Sequence, residues 1–229
     1  MKTETNSITA GANMARRSFL RYAGASAAAV TVLGAASCKK ENHNIPTGGL
    51  DIGSGDIGIL NYAYALEQLE AAFYLQVAAT PYSGMNTIET AYLTDIRDHE
   101  VLHRDFFKAT LKGSAIGELK TDFSKIDFSD RTSVLKAAKL FEDTGVMAYD
   151  GAGYLIKDAA YLTIAGKIVS VEARHAALIA NLLNPGSFVA GDQVDANGLN
   201  KSATIAEVLS AANGFLVTKV SASSFNYLP

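Results

Sequence analysis

Two short stretches carry a carboxylate and an imidazole at the spacing a metal ion requires: Glu100-Val101-Leu102-His103 and Glu172-Ala173-Arg174-His175. On a helix each Glu lies one turn below its His on the same face, about 4.5 Å along the axis, so the pair can grip one ion. A further acid precedes each motif by 30 residues, Glu70 before Glu100 and Glu142 before Glu172. Glu70 to Glu142, Glu100 to Glu172 and His103 to His175 are each 72 residues apart, which reads as two similar helix pairs in tandem. That register maps Glu67 onto Lys139, so it selects Glu70 as the ligand and leaves Glu67 as a supporting or surface acid. Tyr74, four residues after Glu70, and Tyr149, seven after Glu142, fall within two turns of the site. For both, a core tyrosine with a satisfied hydroxyl is the commoner reading, and a hydrogen bond to a ligand or a radical role is the alternative.

The ligand chemistry has a charge argument behind it. Four buried carboxylates carry four negative charges, which two divalent ions with neutral imidazoles cancel; without metal the acids would have to protonate. Arg104, about 40° around the helix from Glu100, is the nearest rival partner, and one arginine cannot neutralise four acids. His99 is rotated about 100° from Glu100 and reads as a surface histidine. Six ligands for two ions leave open positions, and hard carboxylates with one imidazole per ion suit iron or manganese better than copper. Nucleophilic catalysis has no comparable support, since no Gly-x-Ser-x-Gly elbow is present.

Four amphipathic helices must position these groups. The periodicity predicts them over about 57–79, 86–111, 131–151 and 158–183, with Asp56 and Asn86 as caps of the first two and Asn184-Pro185-Gly186 stopping the fourth. The first buries Ile59, Ala63, Leu66, Leu69, Phe73 and Val77; the second buries Tyr92, Ile96, Glu100, His103 and Phe107. Residues 113–130 are longer than a helix hairpin needs and suit a crossover along the bundle, anchored by Phe123, Ile126 and Phe128. Residues 184–229 form an extension with a short helix near 204–212.

The chain has 229 residues, 48% of them hydrophobic, enough for one good core. A net charge of −3 shows no basic bias, so nucleic acid is not an expected partner. Residues 1–38 read as an export signal: Ala15-Arg16-Arg17-Ser18-Phe19-Leu20-Arg21 resembles a twin-arginine motif ahead of a mild apolar run. The lone cysteine closes that run as Ala35-Ala36-Ser37-Cys38, which resembles a lipoprotein cleavage box with acylation of Cys38; ordinary cleavage near Ala36 is the alternative. The expected location is therefore periplasmic or membrane-anchored, with residues 39–55 as a linker whose Gly53-Ser54-Gly55-Asp56-Ile57-Gly58 has no convincing strand ahead of it to make a dinucleotide loop.

Glu plus Glu-x-x-His from each of two helix pairs resembles the ferritin-like di-metal carboxylate proteins, whose ligands project into a four-helix bundle. Leu66-Glu67-Gln68-Leu69-Glu70-Ala71-Ala72-Phe73-Tyr74 and Val171-Glu172-Ala173-Arg174-His175-Ala176 look most like the subfamily of desiccation-related and exported bacterial proteins. The resemblance implies an all-α, ferritin-like four-helix bundle over 56–183 with a long crossover between helices two and three. It implies two iron or manganese ions, Glu100 and Glu172 bridging, Glu70 and Glu142 terminal, and His103 and His175 on one ion each. The implied chemistry is redox with oxygen or peroxide, including oxidation of ferrous iron, and a peroxidase cycle would need an external reductant. A non-enzymatic, metal-clamped bundle with a stress-protective role is the alternative, and a homo-oligomer is compatible with both.

Overall fold

The computed structural model describes residues 48–189 and 191–225; the export motif, Cys38 and linker residues 39–47 lie outside them. The bundle comprises α1 (Gly55–Ala79), α2 (Thr87–Leu111), α3 (Arg131–Ala152) and α4 (Ala159–Leu183), and α5 (Ile205–Ala212) packs on α3 and α1. Local chemistry sets the boundaries. Asn86 accepts from the backbone N–H groups of Ile88 and Glu89 while Glu89 reaches back to Asn86, a reciprocal cap worth about 1 kcal/mol. Asp130 and Asp158 cap α3 and α4, and Thr204 with Glu207 repeats the box at α5. Asp56 does something other than the expected capping of α1. Ser54 occupies that position, and Asp56 accepts from the backbone N–H groups of Lys157 and Asp158 at 2.9 and 2.8 Å. The start of α1 is thereby tied to the start of α4.

Helix α1 pairs closely with α2 and α3 with α4, while α1 crosses α3. The connection between α2 and α3 runs along α1, held by two buried amides. Asn61 donates to the carbonyls of Ile52 and Ser114 and accepts from Ile116 N–H; Gln68 donates to Gly117 and accepts from Leu119. Seven residues are about two turns, so both amides lie on one face of α1. Phe123 and Phe128 of the crossover pack on Phe73, with ring centroids 5.9 and 5.8 Å away.

This cover changes the character of α1. The sequence pattern predicts one buried stripe, whereas every residue from Gly58 to Ala71 is buried, because crossover and C-terminal segment enclose the faces that neighbouring helices leave open. On α2 the inner position expected for Tyr92 belongs to Leu93, and Tyr92 is exposed. The segment after residue 48 is part of this body: Leu50–Asp51 (β1) pairs in parallel with Val220–Ser221 (β2), and Ile52 is fully buried. Ahead of α5 the chain lies flush on α3, where a Cβ at Gly151 would sit 1.9 Å from the Ala203 carbonyl oxygen. Only glycine allows that approach. No helix among the described residues is long and apolar enough to cross a membrane.

Candidate metal centre

The bundle brings six donor side chains together at its centre. Glu67 comes from α1, Glu100 and His103 from α2, Glu142 from α3, and Glu172 and His175 from α4. They form two overlapping groups, Glu67, Glu100, His103 and Glu172 in one, Glu100, Glu142, Glu172 and His175 in the other, with the donor atoms of each group within 4.8 Å of one another. His103 Nδ1 lies 2.7 Å from Glu172 Oε1, 3.5 Å from Glu67 Oε2 and 3.7 Å from Glu100 Oε2. His175 Nδ1 lies 2.8 Å from Glu100 Oε1 and 3.5 Å from both Glu142 Oε2 and Glu172 Oε2. Glu100 and Glu172 thus each turn one oxygen to either group.

Glu67, set aside by the 72-residue register, stands where Glu70 was expected. The structural counterparts on α1 and α3 are 75 residues apart: Glu67 matches Glu142, Tyr74 matches Tyr149, and Glu70 falls opposite Gly145. The offset changes between the helices of each pair, because α1 is longer beyond its Glu than α3 and its connection is longer too, together by three residues. Glu70 remains buried, but at the α1–α3 crossing, where a Cβ on Gly145 would sit 3.0 Å from its Oε1. The tyrosines expose the true register. Tyr74 donates to Glu142 Oε1 and Tyr149 to Glu67 Oε1, both at 2.5 Å, so each half's tyrosine holds the acid that the other half's first helix turns to the cluster. A signal was present in the sequence: the seven-residue Glu-to-Tyr spacing of Glu142 and Tyr149 recurs with Glu67 and Tyr74, and not with Glu70.

Electrostatics test whether these residues fit cations. Burial first, then the neighbouring acids, pushes Glu70 and Glu100 well above the ordinary carboxylate range; burial also raises Glu67 and takes Glu142 to about 7. Burial would raise Glu172 as well, but the adjacent His103 and His175 outweigh it and hold that group low. Burial opposes charge on the two histidines, yet the surrounding carboxylates push both up to about 12. Two positive charges are therefore drawn into the places of the imidazoles. Glu67 Oε2, Glu142 Oε2, both oxygens of Glu100 and Glu172, and Nδ1 of both histidines are buried and face only one another, none in a hydrogen bond of ordinary geometry even where a histidine lies 2.7 or 2.8 Å from a carboxylate. Buried polar atoms rarely stay unpaired, and their convergence is what a cation site requires. Arg104 is no rival, since it pairs with Asp105 beside it.

His99 is exposed as expected but is not idle: its Nδ1 lies 2.9 Å from His175 Nε2, and the rings stack with centroids 5.1 Å apart. The signal was weak, because a residue preceding Glu100 points away from that side chain and reaches the centre only through a neighbouring helix.

Two antiparallel helix pairs joined by a long crossover, with acids and histidines converging from all four helices, define a ferritin-like bundle with a buried carboxylate–histidine cluster compatible with metal. The model of the ferritin-like domain family matches residues 55–185, more than half of the chain and nearly the span of α1 to α4, and the chain belongs to that family. No curated protein matches the chain.

Proposed function

We propose that this chain is a di-metal oxidoreductase that holds two iron or manganese ions and acts on oxygen or peroxide, with ferrous iron as an oxidisable substrate. Glu67, Glu100, His103 and Glu172 would hold one ion, and Glu100, Glu142, Glu172 and His175 the other. The observation that carries the reading is the division of Glu100 and Glu172, each with one oxygen toward each histidine. When bound, such a pair of ions supplies electrons to oxygen or peroxide. The chain's own residues do the positioning. Tyr74 and Tyr149 fix the terminal carboxylates, and His99 fixes the ring of His175. The His103 side chain is 14% exposed against 5% for His175, which makes the His103 end the more open approach for a small substrate. A peroxidase cycle would draw on an external reductant, because Cys38 is the only thiol. The twin-arginine-like motif and the box before Cys38 favour action outside the cytoplasm on a lipid anchor.

One observation favours a second reading, a metal clamp without turnover. Helices α2 and α4 meet through the cluster and the His99–His175 contact, whereas each packs closely on its own hairpin partner. Ions there would pin the two halves together, as a stress-protective protein needs. The deciding experiment is metal analysis of the full chain beside a Glu100→Ala, Glu172→Ala double variant, followed by oxygen and peroxide consumption after anaerobic reconstitution. About two ions per chain, lost in the variant, together with turnover, would support the oxidoreductase. Full metal with no turnover would favour the clamp, and no metal would overturn both.

A further inference from the structure

The outward side of α2 carries a stripe of which only His99 touches the metal centre: Ile88, Tyr92, Asp95, His99, Leu102 and Phe106, spaced by fours and threes within about 40° of one line along the helix. All six are exposed, Ile88 at 60%, Leu102 at 65%, and Tyr92 and Phe106 at 39% each. Four large apolar side chains in one row form a contiguous strip of the kind that marks an interaction surface. Their order is what identifies the occupant. The stripe is symmetric about residue 97: position 88 mirrors 106, 92 mirrors 102, and 95 mirrors 99. Laid antiparallel on a second copy of itself, α2 sets Ile88 against Phe106, Tyr92 against Leu102, and the acid Asp95 against the imidazole of His99. An isologous two-fold interface requires that reciprocity, residue i on j and j on i.

We propose that this face of α2 is the interface of a two-fold dimer, with a second copy of the chain as its occupant. Apolar pairs close both ends of the contact, and two Asp95–His99 pairs set its register and antiparallel sense. The same register completes the surroundings of His175. With His175 Nδ1 given to an ion, its Nε2–H donates to His99 Nδ1; the proton of His99 then sits on Nε2 at the exposed edge, where the partner's Asp95 is the acceptor. Only this last bond rests on the proposed metal function, and the stripe stands without it.

The test is the association state of the full chain by sedimentation equilibrium, beside Leu102→Asp. We expect a dimer in the wild type and at least about tenfold weaker association in Leu102→Asp, which buries two unpaired acids at the apolar contact. A register test uses Cys38→Ser chains carrying either Tyr92→Cys or Leu102→Cys. Mixed and treated with oxidised glutathione as the oxidant, they should form an intermolecular disulfide; each alone should not, because like positions lie about 15 Å apart along the helix. The cysteine mixture decides even if Leu102→Asp misfolds. A monomeric wild type, unchanged association in Leu102→Asp, or equal cross-linking in single and mixed samples would overturn the proposal. Metal content measured on the same samples keeps that failure distinct from failure of the metal reading.

Discussion

The α1–α2 and α3–α4 hairpins supply the same donors from the same places, yet little else about them matches. Each first helix has a cluster Glu with a Tyr seven residues on, and each second helix carries Glu-x-x-His beginning thirteen residues after its first residue. Around those points the halves diverge: Glu70 faces Gly145, His99 corresponds in sequence to Val171, and α1 is enclosed on nearly every side. The near-symmetry therefore belongs to the donor atoms and not to the helices that carry them. Three additional residues between Glu67 and Glu100 are tolerated because they lie at the far end of the hairpin, in the last turns of α1 and its connection.

Breaking the symmetry at its donors should have the largest effect. Glu67→Ala and Glu142→Ala are each expected to lose one ion of two, a drop in affinity for that ion of about 100-fold or more, given that residues merely orienting a ligand are worth about 10- to 100-fold. Glu70→Gln should keep both ions, since that carboxyl sits at the helix crossing. Metal analysis of the three variants decides between the 75- and 72-residue registers; loss of metal in Glu70→Gln with retention in Glu67→Ala would restore the latter.

Removing the ions should come next, and its pH dependence has a definite sign. Folded Glu142 without metal binds its proton up to about pH 7, against 4.5 for the ordinary group, chiefly because burial disfavours its charge. Its contribution to stability is fully present below about pH 4.5 and is lost as pH rises to about 7, roughly 3 kcal/mol from this group alone. The histidines, raised from 6.5 to about 12, act in the same direction at higher pH, and Glu172, held low, acts in the opposite direction. Thermal melting of the chelated protein should therefore fall between pH 4.5 and 7, by about 2–4 °C per kcal/mol. With ions supplied the trend should reverse, because ligands bind metal only when deprotonated. A chelated protein that melts higher at pH 7 than at pH 5 would contradict the assignment.

Much of this was legible beforehand, and the exceptions share a cause. The four helices could be read from periodicity and caps, and Glu100, His103, Glu172 and His175 from spacing within single helices, where geometry is local; Glu142 rested on its 30-residue offset from Glu172, which spans two helices. Choosing Glu67 over Glu70 required knowing how α1 rotates against α3. That depends on the length of a connection, and a constant offset was the wrong guide across it. Similarly, Asp56 reads as the cap of α1, but Ser54 holds that position and the partners of Asp56 are the backbone N–H groups of Lys157 and Asp158, which only the closed bundle brings near. Tyr92 and Leu93 differ by about 100° of helix rotation, and packing decides which faces inward.

The crossed tyrosines sharpen the comparison further. Tyr74→Phe removes the donor to Glu142 and Tyr149→Phe the donor to Glu67, so each should weaken one ion by about tenfold, in the half that does not contain the substitution. Sequential Mn(II) titration of both variants, paired with Glu67→Ala and Glu142→Ala, tests the crossing. Tyr149→Phe should add little to Glu67→Ala, and Tyr74→Phe little to Glu142→Ala; additive losses would show that the phenols act elsewhere.

The smallest effect should come from the one asymmetry that touches a donor. His99→Val makes position 99 match Val171 and removes the acceptor for His175 Nε2–H, while His103 has no such partner among the described residues. The ion shared with His175 should weaken by up to about tenfold and the one shared with His103 should not change. Stepwise Mn(II) binding would show the two affinities converging, or exchanging order, in the variant. Since His99 also lies on the proposed dimer face, Leu102→Asp is the control: it removes the second copy and leaves the His99–His175 contact in place. A shift in His99→Val absent from Leu102→Asp assigns the effect to the contact within one chain. The same shift in both would mean that the partner's Asp95 orients His99, so that metal affinity depends on protein concentration.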